Sequence, residues 1–247
     1  MIGSRMGGWW RKWSCPVDGP PGNSFPSISN LVTRWKASTV TGLSDGDLLT
    51  ASIADLSSAA NDGTISASGV RWYATVAGGK PSFGQTSAAA AGKILATNNT
   101  SLTNVTLFMV NKYVANQTGG ATGYNAVFGK EGAYATYINN SSGAISFTDN
   151  STVIDRGTGY TDTGAFHRII IRMASGVADG SDIWVDGAKV GTSFTLSVRD
   201  QLSKLSMFDI AGYHNASYIP EAGLFDKLLS DAEMAQVDVY LLAEYGT

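Results

Sequence analysis

The sequence predicts an all-β fold: an antiparallel two-sheet sandwich, preceded by an N-terminal extended arm and closed by one C-terminal helix. Three observations predict it. Runs of β-branched and aromatic residues recur between clusters of Gly, Asn, Asp and Ser, the pattern of short strands joined by tight turns. Charged residues make up only 15% of the 247-residue chain, below the usual quarter, while hydrophobic residues reach 43%. The residue period turns helical only once, near the C-terminus.

Residues 1–29 stand apart from the rest. They hold three of the six tryptophans (Trp9, Trp10, Trp13) and four of the six prolines (Pro16, Pro20, Pro21, Pro26), with no regular period. This reads as an arm and linker, leaving 30–247 as the sandwich. Strands are expected at 70–77, 105–113, 124–129, 133–138, 166–174 and 182–190. Within 166–174, His167, Ile169, Ile171 and Met173 share one face, and Arg168, Ile170 and Arg172 the other. Asp186-Gly187 between two strand-like runs predicts a type I′ hairpin, whose positive-φ positions suit those residues. Ser230 and Glu233 form a capping box, with Met234, Val237 and Leu241 following at helical spacing beside Tyr240. Gly246 supplies the stop. The helix over 230–246 is expected at the edge or end of the sandwich.

Several function classes are excluded early. A net charge of −3 lacks the basic balance of a nucleic-acid binder. No apolar run approaches the roughly 18 residues that a membrane span needs. Cys15 is the single cysteine, so no internal disulfide forms. Arg5, Arg11 and Lys12 interrupt the N-terminal stretch, which has no continuous apolar core for a signal peptide. Synthesis in the cytoplasm without a leader is the simplest expectation.

Seven segments in order, LVTRW (31–35), GLSDGD (42–47), KPSF (80–83), VTLFMVNK (105–112), HRIIIRM (167–173), WVDGAKVG (184–191) and GLFDKLLSDAEMAQVDVYLLAEYG (223–246), form a recognisable set. Together they resemble the concanavalin A-like, laminin-G-like jelly-roll domains of bacterial surface and phage proteins. The resemblance runs from about residue 30 to the end, and its last segment is the most specific. Ile53–Ala54–Asp55–Leu56–Ser57 keeps the Asp and Ser of an early Trp-x-Asp-x-Ser motif of that family but lacks its Trp. The alanine-rich stretch 87–96 matches poorly.

The resemblance implies a jelly roll, and in many relatives a calcium ion at the sandwich rim held by carboxylate and carbonyl oxygens. Asp149, Asn150 and Asp155, or Asp179 and Asp182, would be the candidates. Turn chemistry accounts for the same residues, and that is the reading adopted, with no cofactor required. Glycosidases on this fold use a Glu-x-Asp-x-Glu strand to pair two carboxylates. The chain has only Glu131, Glu221, Glu233 and Glu244, none in that pattern. There are two histidines and no Gly-x-Ser-x-Gly elbow. His167 reads as a hydrogen-bonded core residue, and His214, in the polar stretch 212–218, as a surface loop residue. No enzyme is expected. Trp72, Tyr73, Tyr134, Tyr137, Trp184 and Tyr213 are the candidates for a sugar-binding platform, although strand packing explains them as well.

Two functions compete. One is a virion structural protein that decorates a capsid or tail, made in the host cytoplasm, with copies of itself or other virion proteins as partners. The other is a glycan-binding adhesin module of a bacterial surface protein, recognising host surface glycans. The absence of a signal-peptide pattern favours the virion. In the virion reading Trp9, Trp10, Arg11, Lys12 and Trp13 are the expected partner-binding residues. Three indoles on a solvated tail invite aggregation, whereas Trp and Arg dominate interface hot spots. Docking into a neighbour, or folding back onto the chain's own sandwich, would each bury them.

Overall fold

In the computed structural model, residues 24–246 are described, apart from 67–68, 86–91, 101–102, 115–123, 131–132, 140–141, 150–152, 157–159, 161–163, 198–201, 211–212 and 215. The chain forms β1 (Leu31–Lys36), β2 (Gly63–Ser66), β3 (Arg71–Ala77), β4 (Lys80–Gln85), β5 (Lys93–Thr100) and β6 (Asn104–Tyr113). Next come β7 (Tyr124–Lys130), β8 (Tyr134–Asn139), β9 (Ile145–Thr148), β10 (Val153–Arg156), β11 (His167–Ala174) and β12 (Asp182–Val185). The last elements are β13 (Ala188–Lys189), β14 (Ser203–Met207), β15 (Asp209–Ile210), β16 (Tyr213–His214), β17 (Ser217–Phe225) and α1 (Asp231–Tyr245).

The strands build two antiparallel sheets. The front sheet has eight strands in the order β13-β12-β11-β6-β17-β4-β3, with β1 also paired to β17. The back sheet has seven, β10-β9-β8-β7-β14-β5-β2. β17 is central. Its beginning pairs with β4 and its end with β1, while β6 runs along its other side.

Strand alternation decides which side chains meet between the sheets. Ile169, Ile171 and Met173 of β11 and Val105, Leu107 and Met109 of β6 point inward and are buried. Ile94, Phe128, Ile138, Phe147, Leu205 and Met207 of the back sheet join them in one core. Trp35 of β1 lies wholly inside, its indole edge-on to Phe128 and its N–H donating to the Asn61 carbonyl at 3.1 Å. The Asp55 carboxylate accepts from the backbone N–H groups of Arg34 (2.7 Å), Ser57 (2.9 Å) and Asn61 (2.8 Å). Asp55 thus holds the loop after β1 against that strand.

β6 is apolar on both faces, and β11 turns Ile170 outward between Arg168 and Arg172. Their outward residues Phe108, Val110 and Ile170, with Phe225, also need cover. Met234, Val237, Leu241 and Tyr245 of α1 supply it. The helix therefore lies across the outer face of the front sheet, a correction to the expected place at an edge or end. Ion pairs from β11 fix it there: Arg168 Nε donates to Asp238 at 2.8 Å and Arg172 to Asp231 at 2.8 Å. The helix ends follow the sequence. Ser230 and Glu233 close the capping box, and Gly246 is left-handed at φ 68°.

At the centre of this layer, Glu221 of β17 has 0% exposure. It accepts from Arg34 Nε at 2.6 Å, from the Tyr240 hydroxyl at 2.9 Å and from the Tyr245 hydroxyl at 2.7 Å. Burial and the Glu221 charge push both phenols well above the ordinary tyrosine range. Phe25 and Ile28, upstream of β1, pack on the same face. The Phe25 ring lies against Phe108, Phe225 and Tyr240, and the Arg34 guanidinium stands 4.0 Å from its centre. Part of the stretch read as arm and linker therefore packs on the sandwich.

Removing one partner of a buried ion pair leaves the other charge desolvated. Glu221→Ala should lower unfolding stability by about 3–5 kcal/mol. Tyr245→Phe, which removes one hydrogen bond to that charge, should cost about 1.5–3 kcal/mol. Denaturant titration checks both, and a loss under about 1 kcal/mol for Glu221→Ala would show that the network is incidental.

Candidate functional site

The arm residues Trp9, Trp10, Arg11, Lys12 and Trp13 lie outside the described residues, as do the side chains of Tyr137, Tyr213 and His214. Of the other candidate aromatics, Tyr134 is buried in the core. Trp72 is half-buried, its indole N–H donating to the Ala37 carbonyl at 3.0 Å. Trp184 packs beside the helix. Tyr73 alone has the setting of a platform.

Tyr73 sits on the outer face of β3, beyond the part of the sheet that α1 covers. Tyr218 of β17 approaches it from two strands away. Their ring centroids are 5.0 Å apart at 88°, an edge-to-face pair. Between them runs β4, where a Cβ on Gly84 would stand 2.7 Å from a ring carbon of each tyrosine. Glycine is what lets the two rings meet. Across β17, Tyr218 is in register with Lys112 of β6, whose ammonium lies 5.6 Å from the Phe166 ring just before β11.

Tyr73, Gly84, Tyr218, Lys112 and Phe166 thus form a strip across five neighbouring strands, roughly 20 Å long at the usual strand spacing. All four side chains are half-buried. Asp45 borders one end, accepting from the Ala74 backbone N–H at 2.9 Å. Burial, then Tyr73 and the Asp45 charge, raise the Tyr218 phenol above its ordinary value, keeping it a neutral donor at physiological pH. The strip offers apolar ring surface flanked by an ammonium, a carboxylate and phenol hydroxyls. Sequence reasoning named Tyr73 and missed Tyr218, which fell in a stretch read as loop. Its alternation with the inward-facing Ile219 was the available signal.

His167 proves half-buried at the rim of the front sheet rather than a core residue. Its Nδ1 lies 2.8 Å from the Asp186 carboxylate, and its ring is edge-on to Tyr160. Asp186 (φ 52°) and Gly187 (φ 81°) form the type I′ turn, and the other Asp186 oxygen accepts from the Arg168 backbone N–H at 2.9 Å. Burial alone would raise the Asp186 pKa. The hydrogen bonds from His167 and Arg168, with their charges, outweigh it and hold the carboxyl below its usual range.

The acids considered for calcium have other partners. Asp149 accepts from the Ser197 backbone N–H, Asp155 from the Ser146 hydroxyl, and Asp182 is paired with Arg172 and Lys189. Asp179 occupies a positive-φ turn position. Among the described residues, no three His, Cys, Asp or Glu side chains gather as a metal site, and Asn150 lies outside the described residues. Among the described glutamates, Glu221 serves the helix network, Glu233 the cap and Lys227, and Glu244 pairs with Lys36 and Lys80.

No protein-family model and no curated protein sequence matches this chain. Solved structures do match it. Domain 4 of an extracellular arabinanase from Geobacillus stearothermophilus, in complex with arabinotriose, gives a TM-score of 0.57 at 12% identity over 85% of this chain and 98% of that domain. The binding domain of botulinum neurotoxin DC in complex with SialylT gives 0.57 at 12%, over 86% of this chain and 51% of that one. A sialidase from Trypanosoma rangeli, in complex with the inhibitor DANA, gives 0.53 at 11%, over 87% of this chain and 33% of the enzyme. The chain therefore spans about half of the toxin domain, a third of the sialidase and nearly all of the arabinanase domain. Such identities establish the fold, the two-sheet β-sandwich that these proteins contain.

The depressed Asp186 pKa has a consequence for stability. A carboxylate whose folded pKa lies below its unfolded value, about 3.9, adds stability above that value and loses it as the pH falls through the folded one. Asp186→Asn keeps a residue that tolerates the turn. Its stability deficit against the wild type should be full at pH 7 and shrink as the pH drops below about 4. Thermal melts across that range check this, and a deficit independent of pH would refute it.

Proposed function

We propose that this chain is a carbohydrate-binding domain whose strip of Tyr73, Tyr218, Lys112 and Phe166 receives the apolar face of a short oligosaccharide. The carrying observation is the Tyr73–Tyr218 pair over Gly84, two aromatic rings on a sheet face that the helix leaves uncovered. A pyranose or furanose presents C–H groups on its face and hydroxyls around its rim. Aromatic surface with polar neighbours matches both. The likeness to an arabinanase domain seen with arabinotriose and to a toxin binding domain seen with SialylT supports the reading, as fold analogy.

The same observations favour binding over catalysis. Each described glutamate has a structural partner, and the strip carries a single carboxylate, Asp45, beside it. A glycosidase of the common kind needs two carboxyl groups facing one bond. The weight therefore moves from the virion structural role to the glycan-binding module. Neither the fold nor the likenesses lend support to a capsid or tail location.

The test is a glycan panel that includes arabinan and sialylated oligosaccharides. A ligand found there should lose at least about tenfold in affinity with Tyr218→Ala, a stacking loss of roughly 1.4 kcal/mol or more. Gly84→Val, which drives a side chain between the two rings, should act in the same direction. Binding unchanged by both variants would place the sugar elsewhere or remove the reading.

A further inference from the structure

Helix α1 has a second apolar face. A surface helix normally turns charge to solvent. Here Ala232, Ala235, Gln236, Val239, Leu242 and Ala243 are exposed and recur at three- and four-residue spacing, with Val239 at 53% and Leu242 at 45% exposure. All four acids of the helix are drawn to cations of the body: Asp231 to Arg172, Glu233 to Lys227, Asp238 to Arg168 and Glu244 to Lys36. Asp231, at the start of the helix, is the one charge left on the outward face. Beside this face runs a groove of about 100 Å³, walled by Ile170, Trp184 and Gly187 on the sheet side and by Met234, Ala235, Asp238 and Val239 on the helix. The Trp184 indole N–H is buried and has no acceptor among the described residues.

We propose that this face and groove are the docking surface for the tryptophan-rich residues 9–13 of the same chain. Three observations choose that occupant. The described chain begins on this side of the molecule, with Phe25 wedged against Phe108, Phe225 and the helix residue Tyr240. The eleven residues 14–24 reach up to about 36 Å when extended, whereas a 15-residue helix is about 22 Å long. Charge is complementary at the borders of the face: residues 1–23 carry Arg5, Arg11 and Lys12 against one acid, Asp18, and the acids nearest the face are the exposed Asp231 and the groove-lining Asp238. The indoles cover Val239 and Leu242, and a backbone carbonyl of the segment meets the Trp184 N–H. This inference is independent of glycan binding.

Cys15, the chain's only cysteine, lies two residues past Trp13 and serves as a built-in reporter. Ala232→Cys, Ala235→Cys and Ala243→Cys are made singly in the full chain, with Lys204→Cys on the exposed face of the back sheet as control. Each is exposed to oxidised glutathione after a melt confirms wild-type folding. A disulfide requires the two Cα atoms within about 7 Å. At least one helix variant should close an intrachain bond to Cys15 on the order of tenfold faster than the control, through its higher effective concentration. Adding Val239→Lys should bring that rate down to the control. Equal rates at helix and control, a bond indifferent to Val239→Lys, or disulfides chiefly between chains would each overturn the proposal, the last by making a second copy the occupant.

Discussion

A carboxylate buried beyond the reach of water must be met by protein donors, and Glu221 imposes that requirement on the middle of β17. Its donors come from opposite ends of the chain. Arg34 lies 187 residues upstream in β1, and Tyr240 and Tyr245 lie downstream in α1. Satisfying one charge therefore brings together the first strand, the strand at the centre of the front sheet and the terminal helix. Lys36 extends the network to Glu244, whose carboxyl is held below its ordinary range: burial opposes this, and the hydrogen bond and charge of Lys36 prevail, with Lys80 adding to them. The helix is positioned by oil and ions together, apolar side chains over Phe108 and Val110 and acids over the β11 arginines.

That arrangement divides the outer face of the front sheet. Where β6, β11 and the end of β17 carry large apolar residues, the helix covers them. The helix reaches the hairpin end of β3 and β4 through Ala77 and Lys80, and farther along these strands the outward residues are Tyr73, Gly84 and, from the start of β17, Tyr218. A solvated sheet face normally alternates polar residues outward. Tyrosine and lysine satisfy that rule through their polar tips while keeping ring and stem surface available. The strip is thus a stable sheet surface first, and its capacity to stack against a ligand follows from the same residues.

Legibility in the sequence followed the range of the interactions. The Asp186-Gly187 turn, the Ser230–Glu233 capping box, the left-handed Gly246 and the two faces of β11 are written within a few neighbouring residues, and each was readable. β5 was not: its segment opens beside an alanine-rich stretch, and the partners that make it a strand, β2 and β14, are remote. The position of the helix was not readable either, because it depends on Phe108 and Val110 of β6 meeting Ile170 of β11 on one outer face. The alternation in β11 was read as one buried face and one solvent face. In the structure Arg168 is only 5% exposed, since the helix needed a cation beneath it. The Tyr73–Tyr218 pair joins residues far apart in the chain through a glycine on a third strand, and no local pattern announces such a meeting.

Composition then bears on the class of function through where the few charges sit. Of four glutamates, the three described ones are committed to holding or capping α1, and the cations that answer them are Arg34, Lys36, Lys80 and Lys227. Arg168 and Arg172 are committed in the same way to Asp238 and Asp231. Eleven of the chain's 37 charged residues are thus placed around one helix, the described glutamates all among them. What the chain presents on the uncovered part of the same sheet is ring surface with a lysine and one aspartate at its borders. That combination recognises shape and apolar faces more readily than it moves protons, and it is the physical ground for reading the domain as one that binds.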